Sequence, residues 1–187
     1  ENLVNLPDGY YEQLLGGKRL DWIQCYAEGK YTFVQEGRAV WPEFNDNLMT
    51  ADLEPDPSLP IHVGLDFGLT PAAVFAQRLK NGRWHILHEL VTFEMGLERF
   101  CSSLKADLSS RFPGYSTLVW GDPAGMQRDQ IFETTSFDHL KTHGILAQPT
   151  ATNDFKTRRE ALAMPMGRLI DGKPGLLVDR KCIRTRK

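Results

Sequence analysis

Long apolar runs are missing from this chain. None approaches the roughly 18 residues that a membrane helix needs, so no membrane span is expected. Cysteine is scarce: Cys25, Cys101 and Cys182 are odd in number and far apart. That excludes a disulfide framework, gives no zinc-ligand spacing, and fits a reducing cytosol. Charge of either sign is nearly balanced, at -2 over 187 residues. By itself this argues against a strongly basic nucleic-acid binder. Glu1 to Pro7 is polar without a basic start, so no secretory leader is expected. No Gly-x-x-x-x-Gly-Lys-Ser/Thr occurs, so no phosphate-cradling ATPase loop is expected.

What is present reads as an ordinary globular body, 41% hydrophobic and 25% charged. The length suits one domain with a full core, with or without an arm. The charge is unevenly placed. From Lys156 to Lys187 there are ten Lys/Arg and three Asp/Glu, a net of +7, which leaves -9 on the rest. An acidic body with a basic flank suits a metal site beside phosphates, and a solvated C-terminal segment is the plain alternative.

Residues 1–60 differ in texture from the remainder. Tyr10–Leu15 and Leu20–Tyr26 read as short helices, and Tyr31–Val34 and Ala39–Trp41 as strands. Pro55-Asp56-Pro57-Ser58-Leu59-Pro60 is a stiff, donor-poor joint that suits a boundary. Beyond it, 61–66, 72–79 and 84–91 predict an antiparallel meander, with Lys80-Asn81-Gly82-Arg83 as a hairpin turn. Leu97, Phe100, Cys101, Leu104 and Leu108 have helical spacing. A strand over 116–121 follows, then a helix near 129–142 and a short strand at 145–147. A helix capped by Asn153 or Asp154 runs to about Ile170, shortened or kinked by Pro165, and 175–178 is the last strand. Three antiparallel strands followed by alternating helix and strand define a mixed α/β sheet covered by helices. This is the order of the ribonuclease H-like fold.

Two aspartates carry the chemistry. Asp66 closes Ile61-His62-Val63-Gly64-Leu65-Asp66, and Asp122 closes Thr117-Leu118-Val119-Trp120-Gly121-Asp122. Each ends a short apolar β segment, and Phe67-Gly68 or Pro123-Ala124-Gly125 follows. A strand that ends on a bare carboxylate puts a hard oxygen ligand at the mouth of a sheet. Two on neighbouring strands can hold Mg²⁺ or Mn²⁺, and two-metal sites of this kind cut phosphodiesters. An Asp before Gly or Pro is also a common turn former. Gly64 and Gly121 suggest close backbone approach.

The residues from Gly64 to Val74 and Trp120-Gly121-Asp122-Pro123-Ala124-Gly125 resemble the nuclease motifs of tailed-phage terminase large subunits. The segment from Leu6 to Phe44 resembles the stretch that joins their packaging ATPase to the nuclease. The resemblance implies a metal-dependent endonuclease, working in the host cytoplasm, that cuts concatemeric viral DNA. It also implies an ATPase domain, a portal and a small terminase subunit as partners. In that family the third acid usually lies beyond the last strand, in a His-x-x-Asp-Ala motif. Nothing after Asp179 is acidic here. The expectation is therefore an arm at 1–60 and a C-terminally truncated ribonuclease H-like domain at 61–187, one ligand short.

Within the site, Asp66 is expected to bridge both metals and Asp122 to hold one. Glu89 is a possible extra ligand, more readily structural. His62, His85 and His88 read as surface pairs, and Asp179, beside Arg180 and Lys181, as a surface residue. Lys156, Arg158 and Arg159 are candidates for sequence-independent contacts to duplex DNA phosphates, or are ordinary exposed helix charges. Two rivals stand beside the nuclease. Asp66-Phe67-Gly68-Leu69-Thr70 also matches the Asp-x-Gly-x-Thr phosphate loop of actin and sugar-kinase phosphotransferases. The missing third acid favours a catalytically incomplete body that binds DNA or a portal.

Overall fold

The computed structural model describes residues 39–128 and 133–186. The helices expected at Tyr10–Leu15 and Leu20–Tyr26, the strand Tyr31–Val34 and Cys25 lie outside the described residues. Contacts divide the chain into Glu1–Val40 and Trp41–Lys187. Residues 39–41 form no strand. Pro42 removes a ladder donor there, and Trp41 instead opens a turn closed by Phe44 N to its carbonyl, 3.1 Å.

The second unit begins with a single helical turn, α1 (Asp46–Met49), and the short strand β1 (Thr50–Ala51). The meander follows as β2 (Ile61–Asp66), β3 (Ala72–Arg78) and β4 (Trp84–Val91). Helix α2 is Leu97–Arg111, and β5 is Thr117–Gly121. A 3₁₀ turn spans Pro123–Met126. Helix α3 covers Ser136–Thr142, capped by Thr135 and Asp138 holding each other's backbone N–H. Then come β6 (Ala147–Pro149), α4 (Phe155–Gly167), the hairpin β7 (Leu169–Ile170) and β8 (Lys173–Pro174), and β9 (Leu176–Asp179). Helix α4 stops short of Ile170 because Pro165 falls in its last turn, and 169–170 pairs with 173–174 instead.

Among the described residues seven strands form one mixed sheet, in the order β1-β9-β4-β3-β2-β5-β6. β2 and β3, and β3 and β4, are antiparallel; every other pairing in the sheet is parallel. The carboxyl ends of β2, β4, β5, β6 and β9 therefore share one edge, where ligands gather in open α/β sheets.

Alternation sets the two faces. Ile61, Val63, Leu65, Phe75 and Val119 are buried on one, beneath Phe100, Cys101 and Leu104 of α2 and Leu140 of α3. On the other, Ile86, Leu176 and Val178 pack with Cys182 against Leu162 and Met166 of α4. That second cover stops short of β5, where Leu118 and Trp120 are 43% and 37% exposed.

The proline-rich segment 55–60 is stapled to the sheet by Gln77. This fully buried amide donates Nε2 to the carbonyls of Asp56 and Leu59 and accepts Asp56 N on Oε1. A segment poor in its own donors is thus satisfied from outside. The free thiols Cys101 and Cys182 are buried, and burial pushes them up to about 11 and about 12. Among the described residues no helix is long and apolar enough to cross a membrane.

Candidate metal and phosphate site

Parallel register brings the two aspartates together. Leu65 is paired with Gly121 across β2 and β5. Asp66 and Asp122 are the next residues, so they leave adjacent strands side by side, about 4.8 Å apart in the strand-to-strand direction. Val63 and Leu65 are buried, while Gly64 and Asp66 are exposed. Trp120 is exposed between buried Val119 and Gly121. Both aspartates continue the open face in phase, at the sheet edge where strands end.

Their environments differ. No hydrogen bond reaches the exposed Asp66 carboxylate from the described residues. Asp122 is engaged twice. Its Oδ1 accepts Ala124 N at 2.8 Å and so caps the 3₁₀ turn. Its Oδ2 accepts Arg158 Nη1 at 3.2 Å, and the same Nη1 donates to Asn153 Oδ1 at 2.5 Å. The turn-forming role and the ligand role of Asp122 are therefore compatible, because each uses a different oxygen.

Phe67 locks the two motifs together. Its ring lies beside Gly121 and Gly125 and meets Phe137 of α3 edge-on, centroids 5.4 Å apart. Gly121 makes the close approach that the sequence suggests. Gly64 does not: a Cβ there would meet nothing within 4 Å, because Gly64 faces the open half of the sheet.

Helix α4 brings one of the three candidate phosphate contacts, Arg158, to Asp122. Asp154 caps it, accepting Thr157 N at 2.8 Å. This bond and one from the Thr157 hydroxyl hold the Asp154 carboxyl below its usual range. Lys156 is exposed. Arg158 is 57% exposed and turned to Asp122. Arg159 turns the other way, onto Glu43 at 2.9 Å, and its carbonyl accepts the Trp41 ring N–H.

Glu89 lies on the same face as Asp66, in the row that runs through Val74 and Gly64. One strand, β3, separates it from β2, so the two lie about 10 Å apart. Its carboxylate is taken by Arg184 N, Thr185 N and the Thr185 hydroxyl, at 2.6–2.7 Å. It clasps the C-terminal turn, which supports the structural reading. Asp179 departs from expectation. It is 3% exposed, and its carboxylate accepts Leu53 N and Lys181 N. Burial between β1 and β4 overrides the basic residues that follow it.

Of the three histidines, one forms a pair, at a partly buried position, and the other two do not. His88 Nε2 meets Asp107 Oδ2 at 2.8 Å, and His62 packs edge-on against Trp84. His85 has both ring nitrogens buried without a partner among the described residues, and burial lowers its pKa.

The basic C-terminal segment is partly spent within the fold. Arg180 pairs with Asp52, and Arg186 grips Asp46 through two bonds of 2.7 Å. Hydrogen bonds from Arg186 and Thr50 hold Asp46 down at about 2. Asn153 and Phe67 are the residues that sequence reasoning missed. The available signal for Phe67 was one large ring placed between an aspartate and a glycine, with a second motif carrying two glycines to receive it.

A sheet of this order, with helices on both faces, is a ribonuclease H-like fold, similar to that of large terminase nuclease domains. The large terminase of a thermophilic bacteriophage superposes with a TM-score of 0.62 at 14% identity, over 97% of this chain and 43% of that one. The nuclease domain of P22 large terminase gives 0.57 at 12% identity, over 76% and 73%. The large terminase nuclease of the thermophilic phage G20c gives 0.53 at 17% identity, over 78% and 76%. The chain thus spans less than half the length of the first of these proteins. No protein-family model matches the sequence, and no curated protein matches it.

Proposed function

We propose that this chain is the nuclease domain of a phage DNA-packaging terminase large subunit, cutting concatemeric duplex DNA by metal-dependent phosphodiester hydrolysis. The observation that carries the reading is the in-phase exit of Asp66 and Asp122 from adjacent parallel strands. The donor set fits Mg²⁺ or Mn²⁺: hard carboxylate oxygens, one fully open and one shared with a guanidinium. Asp66 would bridge two ions and Asp122 would hold one. When bound, such ions activate water and neutralise charge on the scissile phosphate. Lys156 and Arg158 would meet phosphates without reading sequence. Arg159, engaged by Glu43, would support the helix that carries them. The packaging ATPase, the portal, the small terminase subunit and the host cytoplasm belong to the same reading, as does an N-terminal arm ahead of the nuclease body.

A body that binds DNA or a portal without cutting is the second reading. Among the described residues no three acidic, histidine or cysteine side chains converge as a metal group. Nicking of supercoiled plasmid in Mn²⁺ separates the two. Metal-dependent nicking that disappears in Asp66→Asn supports the nuclease. Plasmid binding without nicking at any metal concentration supports the binding module.

A further inference from the structure

We infer that Arg158 is a gate on the metal site, exchanging with the divalent cation at Oδ2 of Asp122. This rests on the nuclease reading and deepens it. Of the four oxygens on the two aspartates, Asp122 Oδ1 is committed to Ala124 N at 2.8 Å. Oδ2 carries no backbone hydrogen bond and is the freer of the two for a metal, and Arg158 Nη1 holds it at 3.2 Å. A cation and a guanidinium cannot share that oxygen without strong repulsion, since like charges a few ångströms apart oppose each other.

Arg158 is built to leave. It is 57% exposed, so its ion pair is screened by water and cheap to break. Asn153 Oδ1, 2.5 Å from the same Nη1, already holds the guanidinium from the loop before α4, so Nη1 keeps an acceptor when it leaves Asp122. The backbone that carries it stays put, because Asp154 caps the helix through Thr157 N. The side chain can therefore swing without the helix moving. Before metal binds, Arg158 neutralises Asp122. Once metal is bound, the guanidinium is released beside the cation, one turn into a helix that also presents Lys156. A phosphate drawn to that point would find the metal and the freed guanidinium together. Arg158 is thus a positioning residue whose first partner is the carboxylate and whose second is the nucleic-acid backbone.

Mn²⁺ titration calorimetry on the folded chain tests this, with duplex binding measured separately in chelator. Arg158→Gln should bind Mn²⁺ about threefold to tenfold more tightly than the native chain, the size expected from removing one charge near a solvated ion. In chelator the substitution leaves the Asp122 charge uncompensated, so duplex DNA should bind more weakly. Arg158→Lys should lie between the two in both measurements. Lys80→Gln, the same change of charge in the β3–β4 turn, should leave Mn²⁺ affinity unchanged. Unchanged or weaker Mn²⁺ binding in Arg158→Gln overturns the gate, as does equal tightening in Lys80→Gln. Asp66→Asn separates this failure from a deeper one. If Mn²⁺ binding is lost in Asp66→Asn yet indifferent to Arg158, only the gate falls. If Asp66→Asn binds Mn²⁺ as the native chain does, or if neither the native chain nor Arg158→Gln binds it, the two-aspartate site falls as well.

Discussion

The ring of Phe67 fills the space that a side chain at Gly125 would need: a Cβ there would lie 2.5 Å from Cδ2 and Cε2 of the ring. The strand-end motif of β2 and the turn after β5 are thus one packed unit, and the glycines are its contact surface. Gly121→Ala, with its Cβ 2.6 Å from the same ring, and Gly125→Ala should each cost about 1–3 kcal/mol by overpacking. Gly64→Ala, which meets nothing, should stay within about 0.5 kcal/mol. Urea unfolding of the three variants checks the contrast. Equal costs at 64 and 125 would contradict the packing described.

Gln77 predicts a second loss. Replacing it with Met keeps the volume but leaves Asp56 N and two partly buried carbonyls without their partner. The expected cost is about 2–4 kcal/mol, at 1–3 kcal/mol for each unsatisfied group with partial relief from water. Loosening should centre on 55–60, so hydrogen exchange should accelerate there before the sheet opens.

His85 makes stability depend on pH. Burial, then the nearby Arg83 charge, lower its pKa from 6.5 in the folded chain. The unfolded chain takes up a proton as pH falls through about 6.5, while the folded chain resists it. Stability is therefore full above that value and declines below it, down to the lowered folded pKa. His62 adds the same sign, through burial and Arg78. Thermal midpoints should fall between about pH 7.5 and 5, and less steeply in His85→Phe.

Phosphate contact should show in salt dependence. If Lys156 meets the DNA backbone, Lys156→Gln should lower the slope of log affinity against log salt by about 0.9, uniformly across sequences. Fluorescence anisotropy with two unrelated duplexes measures both points. An unchanged slope would place the DNA elsewhere.

The meander, the helix order and the strand-end placement of the two aspartates were legible because each is local. Periodicity fixes Val63 and Leu65 inward and Asp66 outward, and a chain terminus of a strand needs no partner to be read. Register was not legible: only the pairing of Leu65 with Gly121 shows that the aspartates are neighbours. Long-range partners escaped for the same reason. Arg180 and Lys181 made Asp179 look exposed, yet Leu53 N, 126 positions away in sequence, buries its carboxylate. The basic C-terminal segment suggested a phosphate flank, and part of it turned out to serve Asp46 and Asp52. His85, polar in a strand, gave no sign that it would be enclosed without a partner.

Strand β9 lies between β1 and β4, with parallel neighbours on both sides. It is the last in chain order of the described strands, yet it occupies an interior position. Until it arrives, β4 offers a bare edge and β1 has nothing to pair with. Closing contacts that span well over a hundred residues is slow, because loop entropy is lost before the pairing repays it. The half of the sheet that bears Asp66 and Asp122 can assemble early, whereas the half that bears Asp179 must wait. During that interval an exposed strand edge is available to other chains, so a holding chaperone or low concentration should raise the yield of refolded protein.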